Sequence, residues 1–135
     1  MLPLRLVIDT NVLVSAALKP EELQRTTFLL AITKPARLYV SQPIIDEYED
    51  VLARPELKIR KGLRLQLLQL VHNRSRLVVP SRPIEAAGGP DDNRLLECAD
   101  YLVTGNQRHF PRFWKKTKII TPREFIGLVA PHLVI

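Results

Sequence analysis

The run Leu6-Val7-Ile8, followed at once by Asp9-Thr10-Asn11, places the tightest constraint on this chain. Consecutive apolar residues of this kind suit a short strand buried on both faces, as in a parallel sheet. Asp9 then falls at the strand's carboxyl end. In open parallel sheets, ligands bind in the crevice outside those ends. A lone carboxylate is costly to bury there, so hydrogen bonds, an Arg or a bound cation must compensate it. Asp9 is therefore the first candidate anchor of a site.

The rest of the chain alternates strands with helices. Asn11 to Leu18 reads as a helix opening straight after the first strand, and Glu21 to Thr33 as a second, with Leu23, Thr27, Leu30 and Ala31 on one face. Leu38-Tyr39-Val40 is a second strand. Ser41 as N-cap and Pro43 in the first turn open a third helix that Pro55 stops near Ala53. Gly62 to Ser75 is helical again, with Leu63, Leu67, Leu70 and Val71 inward, and Arg76 to Val79 is a short strand. Ser81 to Pro90 is a loop, Asp91 to Ala99 a short helix, Tyr101 to Thr104 a strand and His109 to Trp114 a helical turn. Lys118 to Ile120 is the last strand. Thr121-Pro122-Arg123-Glu124 has the form of a capping box for a final helix. The pattern predicts an α/β fold: one doubly wound domain over residues 1–135, a mainly parallel twisted sheet flanked by helices on both faces.

A net charge of +6 points to a polyanionic partner, with nucleic acid the natural candidate. The single cysteine, Cys98, excludes an intramolecular disulfide and fits a cytoplasmic protein. No stretch is long enough to span a membrane. Asp9 and Asn11 interrupt what would otherwise resemble a signal peptide's apolar core.

The acids are unevenly placed. Asp46, Glu47, Glu49 and Asp50 lie on the third helix, whose apolar stripe is Ile44, Ile45, Tyr48, Val51 and Leu52. At 100° per residue, Asp46 and Asp50 oppose the stripe and are solvated, while Glu47 and Glu49 flank it and can lean towards a crevice. Asp91 suits an N-cap, and Asp92 lies one turn from the inward Leu95 and Leu96. Thr104-Gly105-Asn106 closes a late strand as Asp9-Thr10-Asn11 closes the first; the glycine permits close backbone approach or positive φ. Oxygen ligands of this kind suit Mg²⁺ or Mn²⁺, and no zinc-like Cys/His spacing is present. The absence of a glycine-rich phosphate loop disfavours a small-molecule phosphohydrolase.

These segments together resemble a PIN-domain nuclease of the VapC-like group, toxin components of bacterial and archaeal toxin–antitoxin systems. The resemblance rests on Val7 to Ala16, on Ser41 to Tyr48 with Val51-Leu52, on Pro90 to Ala99, on Asp100 to Asn106 and on Thr121 to Phe125. It implies a metal-dependent endoribonuclease. Asp9, Glu47 and Asp92 match the family's metal-binding acids, and Thr10, Asn11 and Thr104 its supporting polar residues, with Asp91 adjacent. The family's fourth acid is replaced here by Asn106, which removes one negative charge from the site and weakens the case for a second metal. The chain between Cys98 and Asp100 is also shorter by a turn or two than the family's.

In the chemistry so implied, Asp9 is the central ligand, Glu47 and Asp92 hold Mg²⁺ or Mn²⁺ or its waters, and Asn106 positions a water or phosphate. Tyr101 to Arg123 contains no acid and carries Arg108, His109, Arg112, Lys115, Lys116 and Lys118, interleaved with Phe110, Phe113 and Trp114. Cations mixed with aromatics can grip phosphates and stack unpaired bases. A second basic run, Arg54, Lys58, Arg60, Lys61 and Arg64, suits an RNA surface, an antitoxin surface or a solvated helix. The implied partners are RNA, a small antitoxin and a second copy of the chain in a homodimer. The alternative is a catalytically weak PIN domain that binds RNA or protein.

Overall fold

A computed structural model describes residues 4–19, 23–78, 99–105, 113–114 and 117–133. The elements are β1 (Leu4–Ile8), α1 (Thr10–Leu18), α2 (Leu23–Ala31), β2 (Ala36–Val40), α3 (Gln42–Leu52) and α4 (Lys61–Arg74). They continue with β3 (Ser75–Leu77), β4 (Tyr101–Val103), β5 (Phe113–Trp114), β6 (Thr117–Ile120) and α5 (Pro122–Val129). Short 3₁₀ turns cover Pro55–Leu57 and Pro131–Leu133.

The sheet runs in the order β3-β2-β1-β4-β6-β5. The five strands from β3 to β6 are parallel, and the two-residue β5 lies antiparallel at the edge. The α/β architecture with a mainly parallel sheet is thus as the alternating pattern predicts. Leu6, Val7 and Ile8 are all buried, so β1 is covered on both faces. Leu6 and Ile8 point into the larger core with Leu38, Val40, Val103 and Ile120. Helix residues Leu13, Ala16, Phe28, Tyr48, Leu52, Val71 and Phe125 close that face. Each fully buried Leu, Ile or Phe contributes roughly 1.5–3 kcal/mol, which makes this cluster the main support of the fold. Val7, Ala99, Leu102 and Ile119 form a smaller cluster on the opposite face.

Local chemistry sets the helix ends. Ser41 accepts from Ile44 N at 3.4 Å at the start of α3. The capping box of α5 is complete: Glu124 N donates to Thr121 Oγ1 at 3.1 Å, and Thr121 N donates to Glu124 Oε1 at 3.1 Å. One element departs from expectation. Phe113–Trp114 is a strand paired with Lys118 and Thr117, not the end of a helical turn, because its backbone groups are met by β6. The expected helix over 91–99, all but Ala99, and the loop before it lie outside the described residues. Among the described residues, no helix is long and apolar enough to cross a membrane.

Candidate active site

The strand order reverses direction between β1 and β4. The chain moves one way from β1 to β2 and β3, then returns to the other side of β1 as β4. This is a topological switch point, where the loops leaving adjacent strands diverge and open a crevice at the carboxyl ends. Ile8 and Val103 are partners in register, so Asp9 and Thr104 are the next residues on either side of that crevice.

Asp9 stands at the N-cap of α1, yet its side chain makes no capping bond. An N-cap aspartate ordinarily accepts from the amides of the first turn. Here its Oδ2 accepts from Thr104 Oγ1 at 2.7 Å, across the strands. Its own amide donates to Val103 O at 2.9 Å, which ties the residue to β4. Asn11 Oδ1 accepts from Gly105 N at 3.4 Å, a second link between the two loops. Gly105 does not need its glycine for conformational reasons: the described glycines have no positive φ, and an added Cβ would meet Asn11 Oδ1 at 3.9 Å, ordinary contact.

The second acid comes from α3. Thr10 Oγ1 donates to Glu47 Oε2 at 2.8 Å, which draws Glu47 to the same edge as Asp9. The other acids of α3 are engaged elsewhere. Asp46 accepts from Gln42 Nε2 at 2.9 Å, Asp50 pairs with Arg54 at 3.6 Å, and Glu49 faces His72 at 3.9 Å. Of the two flanking glutamates, Glu47 is therefore the one at the crevice. Neither Asp9 nor Glu47 has a Lys, Arg or His partner among the described residues.

Tyr48 lies beneath both acids. It is fully buried, and its hydroxyl donates to Ile8 O at 2.6 Å. Burial raises its pKa, and the nearby charges of Asp9 and Glu47 raise it further. Sequence periodicity placed Tyr48 in an apolar stripe and overlooked this role. The available signal was the hydroxyl itself, since a buried tyrosine OH almost always finds a partner.

A match to the PIN domain family model spans residues 5–108, most of the chain. The chain belongs to the PIN domain family. PIN domains are in general nucleases, hydrolases that use divalent metal ions, and nuclease-type function follows for this PIN domain at that level. No curated protein matches the chain. The fit to a metal can be judged from the donors. Asp9 and Glu47 offer hard carboxylate oxygens, oriented by threonine hydroxyls and paired with no cation among the described residues, which suits Mg²⁺ or Mn²⁺. Among the described residues no three acids, histidines or cysteines form a metal cluster. The expected third acid Asp92, with Asp91 and Asn106, lies outside the described residues, as do Arg108, His109, Arg112, Lys115 and Lys116.

Proposed function

We propose that this PIN domain is a divalent-metal-dependent endoribonuclease, and the VapC-like toxin of a toxin–antitoxin pair neutralised by a small antitoxin. The observation that carries the reading is the convergence of Asp9 and Glu47 at the β1–β4 switch point, each held by a threonine hydroxyl. Asp9, Glu47 and Asp92 would hold Mg²⁺ or Mn²⁺. When bound, the ion supplies activation of a water and neutralisation of charge in an in-line displacement at phosphorus. The protein's own part is orientation. Thr104 fixes the Asp9 carboxylate, Thr10 fixes Glu47, Asn11 joins the two loops, and Asn106 positions a water or a phosphate oxygen. Arg108, His109, Arg112, Lys115 and Lys116 draw the RNA strand to an edge that its acids would otherwise repel. This reading puts the protein in the cytoplasm as a homodimer.

The test is cleavage of single-stranded RNA in Mg²⁺ or Mn²⁺ by the wild type and by Asp9→Asn. Cleavage by the wild type should stop with EDTA, and should fall by more than roughly 100-fold in the variant, beyond the loss typical of an outer supporting group. Equal rates would remove Asp9 from the mechanism. Growth arrest on expression of the wild type, absent for Asp9→Asn, tests the toxin assignment. The substitution of Asn106 for an acid favours a second reading, a catalytically weak PIN domain that binds RNA or protein. Binding without turnover across a metal titration selects it.

A further inference from the structure

A groove of about 610 Å³ lies at the opposite end of the sheet from Asp9. Lys34 from the α2–β2 turn, Arg37 on β2, Arg74 at the end of α4 and Arg76 on β3 all line it, and no acid among the described residues does. All four are exposed. None forms an ion pair among the described residues. The contrast with their neighbour is informative: Arg5, the register partner of Arg37, meets Asp100 at 3.0 Å. Structural roles explain only part of the cluster. A cation suits the last turn of α4, which accounts for Arg74. A charge on an edge strand deters strand pairing, which accounts for Arg76 on β3. Neither reason reaches Lys34 or Arg37.

We propose that this groove is a second binding site, for the sugar-phosphate backbone of a single-stranded nucleic acid. Arginine forks suit phosphate oxygens, and the neutral donors Asn73 and Ser75 beside them suit the same acceptors. Four cations on separate elements suit a row of phosphates better than a single anion. The choice of occupant rests on the nuclease reading: the strand held here would be the one whose scissile bond lies at the carboxyl edge. β2 runs from Ala36 at the groove to Val40 at the far end. That is about 13 Å at strand rise, or roughly four nucleotides at stacked spacing. The groove therefore adds affinity to long strands and nothing to very short ones.

The experiment measures anisotropy of a labelled single-stranded RNA of about 20 nucleotides, in EDTA, between about 50 and 200 mM salt. It compares the wild type with Arg37→Gln/Arg76→Gln and with Lys19→Gln/Arg123→Gln. The last pair removes the same charge from two exposed positions outside the groove, at the C-terminus of α1 and the N-terminus of α5. The groove pair should weaken binding roughly tenfold and flatten the log–log salt slope by about 1.4, two phosphate contacts at 0.7 each. The control pair should leave the slope in place. An unchanged slope in the groove pair, or an equal change in both pairs, overturns the proposal. Melting curves confirm that the variants are folded, and the single substitutions R37Q and R76Q replace the double should it fail to fold. Because the readout is binding without metal, it is independent of turnover. A slope change with no cleavage by the wild type would leave the groove standing and remove the nuclease reading; the reverse would remove only the groove.

Discussion

Replacing Tyr48 by Phe removes one atom, the hydroxyl that donates to Ile8 O at 2.6 Å directly below the two acids. At neutral pH the loss of a buried hydrogen bond should cost about 1–2 kcal/mol. The pH dependence is more diagnostic. In the fold, burial and then the Asp9 and Glu47 charges keep this hydroxyl protonated above the usual tyrosine range. In the unfolded chain it ionises near pH 10. Below that value both states hold the proton and its contribution is fully present. Above it the native state holds one proton more, so stability falls as pH rises. Unfolding free energies from urea titration should therefore decline more steeply for the wild type than for Tyr48→Phe above about pH 10, by up to about 1.4 kcal/mol per pH unit. Parallel declines would mean that the hydroxyl is not held as described. Thr104→Val acts on the acid itself. It keeps the buried shape but removes the donor at 2.7 Å from Asp9 Oδ2. Loss of such a supporting bond typically costs about 10–100-fold, so cleavage should drop by that factor while RNA affinity in EDTA stays unchanged.

At the scale of elements, α5 offers the cleanest test of local coding. Its two box bonds, both 3.1 Å, satisfy amides that the helix leaves unpaired. Thr121→Ala should lower stability by about 1 kcal/mol in chemical denaturation, and a change near zero would show that tertiary packing alone holds α5. This box, the Ser41 cap, the parallel β1 strand and the amphipathic α3 were all legible in the sequence, because short-range chemistry decides them. Phe113–Trp114 was not legible, because its strand exists only by pairing with β6. Leu30 and Leu63 pack against the core where periodicity placed them, but Phe28 and Leu68, which it passed over, are buried as well. Both lie on the flank of the expected face, about 60° from Ala31 and Val71, and only the partner surface decides whether a flank is covered. The same limit applied at the site. Asp9 was readable as a carboxylate ending a buried strand; periodicity left Glu47 and Glu49 equivalent on α3, the family resemblance chose Glu47, and the bond from Thr10 draws that residue to the edge.

At the scale of the molecule, stability and the proposed chemistry compete over one charge. Asp9 and Glu47 both act on Tyr48, so the fold holds two carboxylates near one point with no cation among the described residues to offset them. Like charges held together destabilise the folded state, and the unfolded chain separates them. Asp9→Asn removes that repulsion, and its amide oxygen can still accept from Thr104. In EDTA the variant should therefore melt above the wild type. A bound ion reverses the order. A ligand that binds only the native state stabilises it by RT ln(1 + [L]/Kd), about 2.7 kcal/mol at one hundred times Kd. Titration with Mn²⁺ should raise the wild-type melting temperature progressively and leave Asp9→Asn nearly flat, so that the two curves cross. Curves that rise in parallel would place the ion elsewhere. A variant less stable than the wild type in EDTA would show that the bond from Thr104, rather than repulsion from Glu47, dominates the energetics of Asp9.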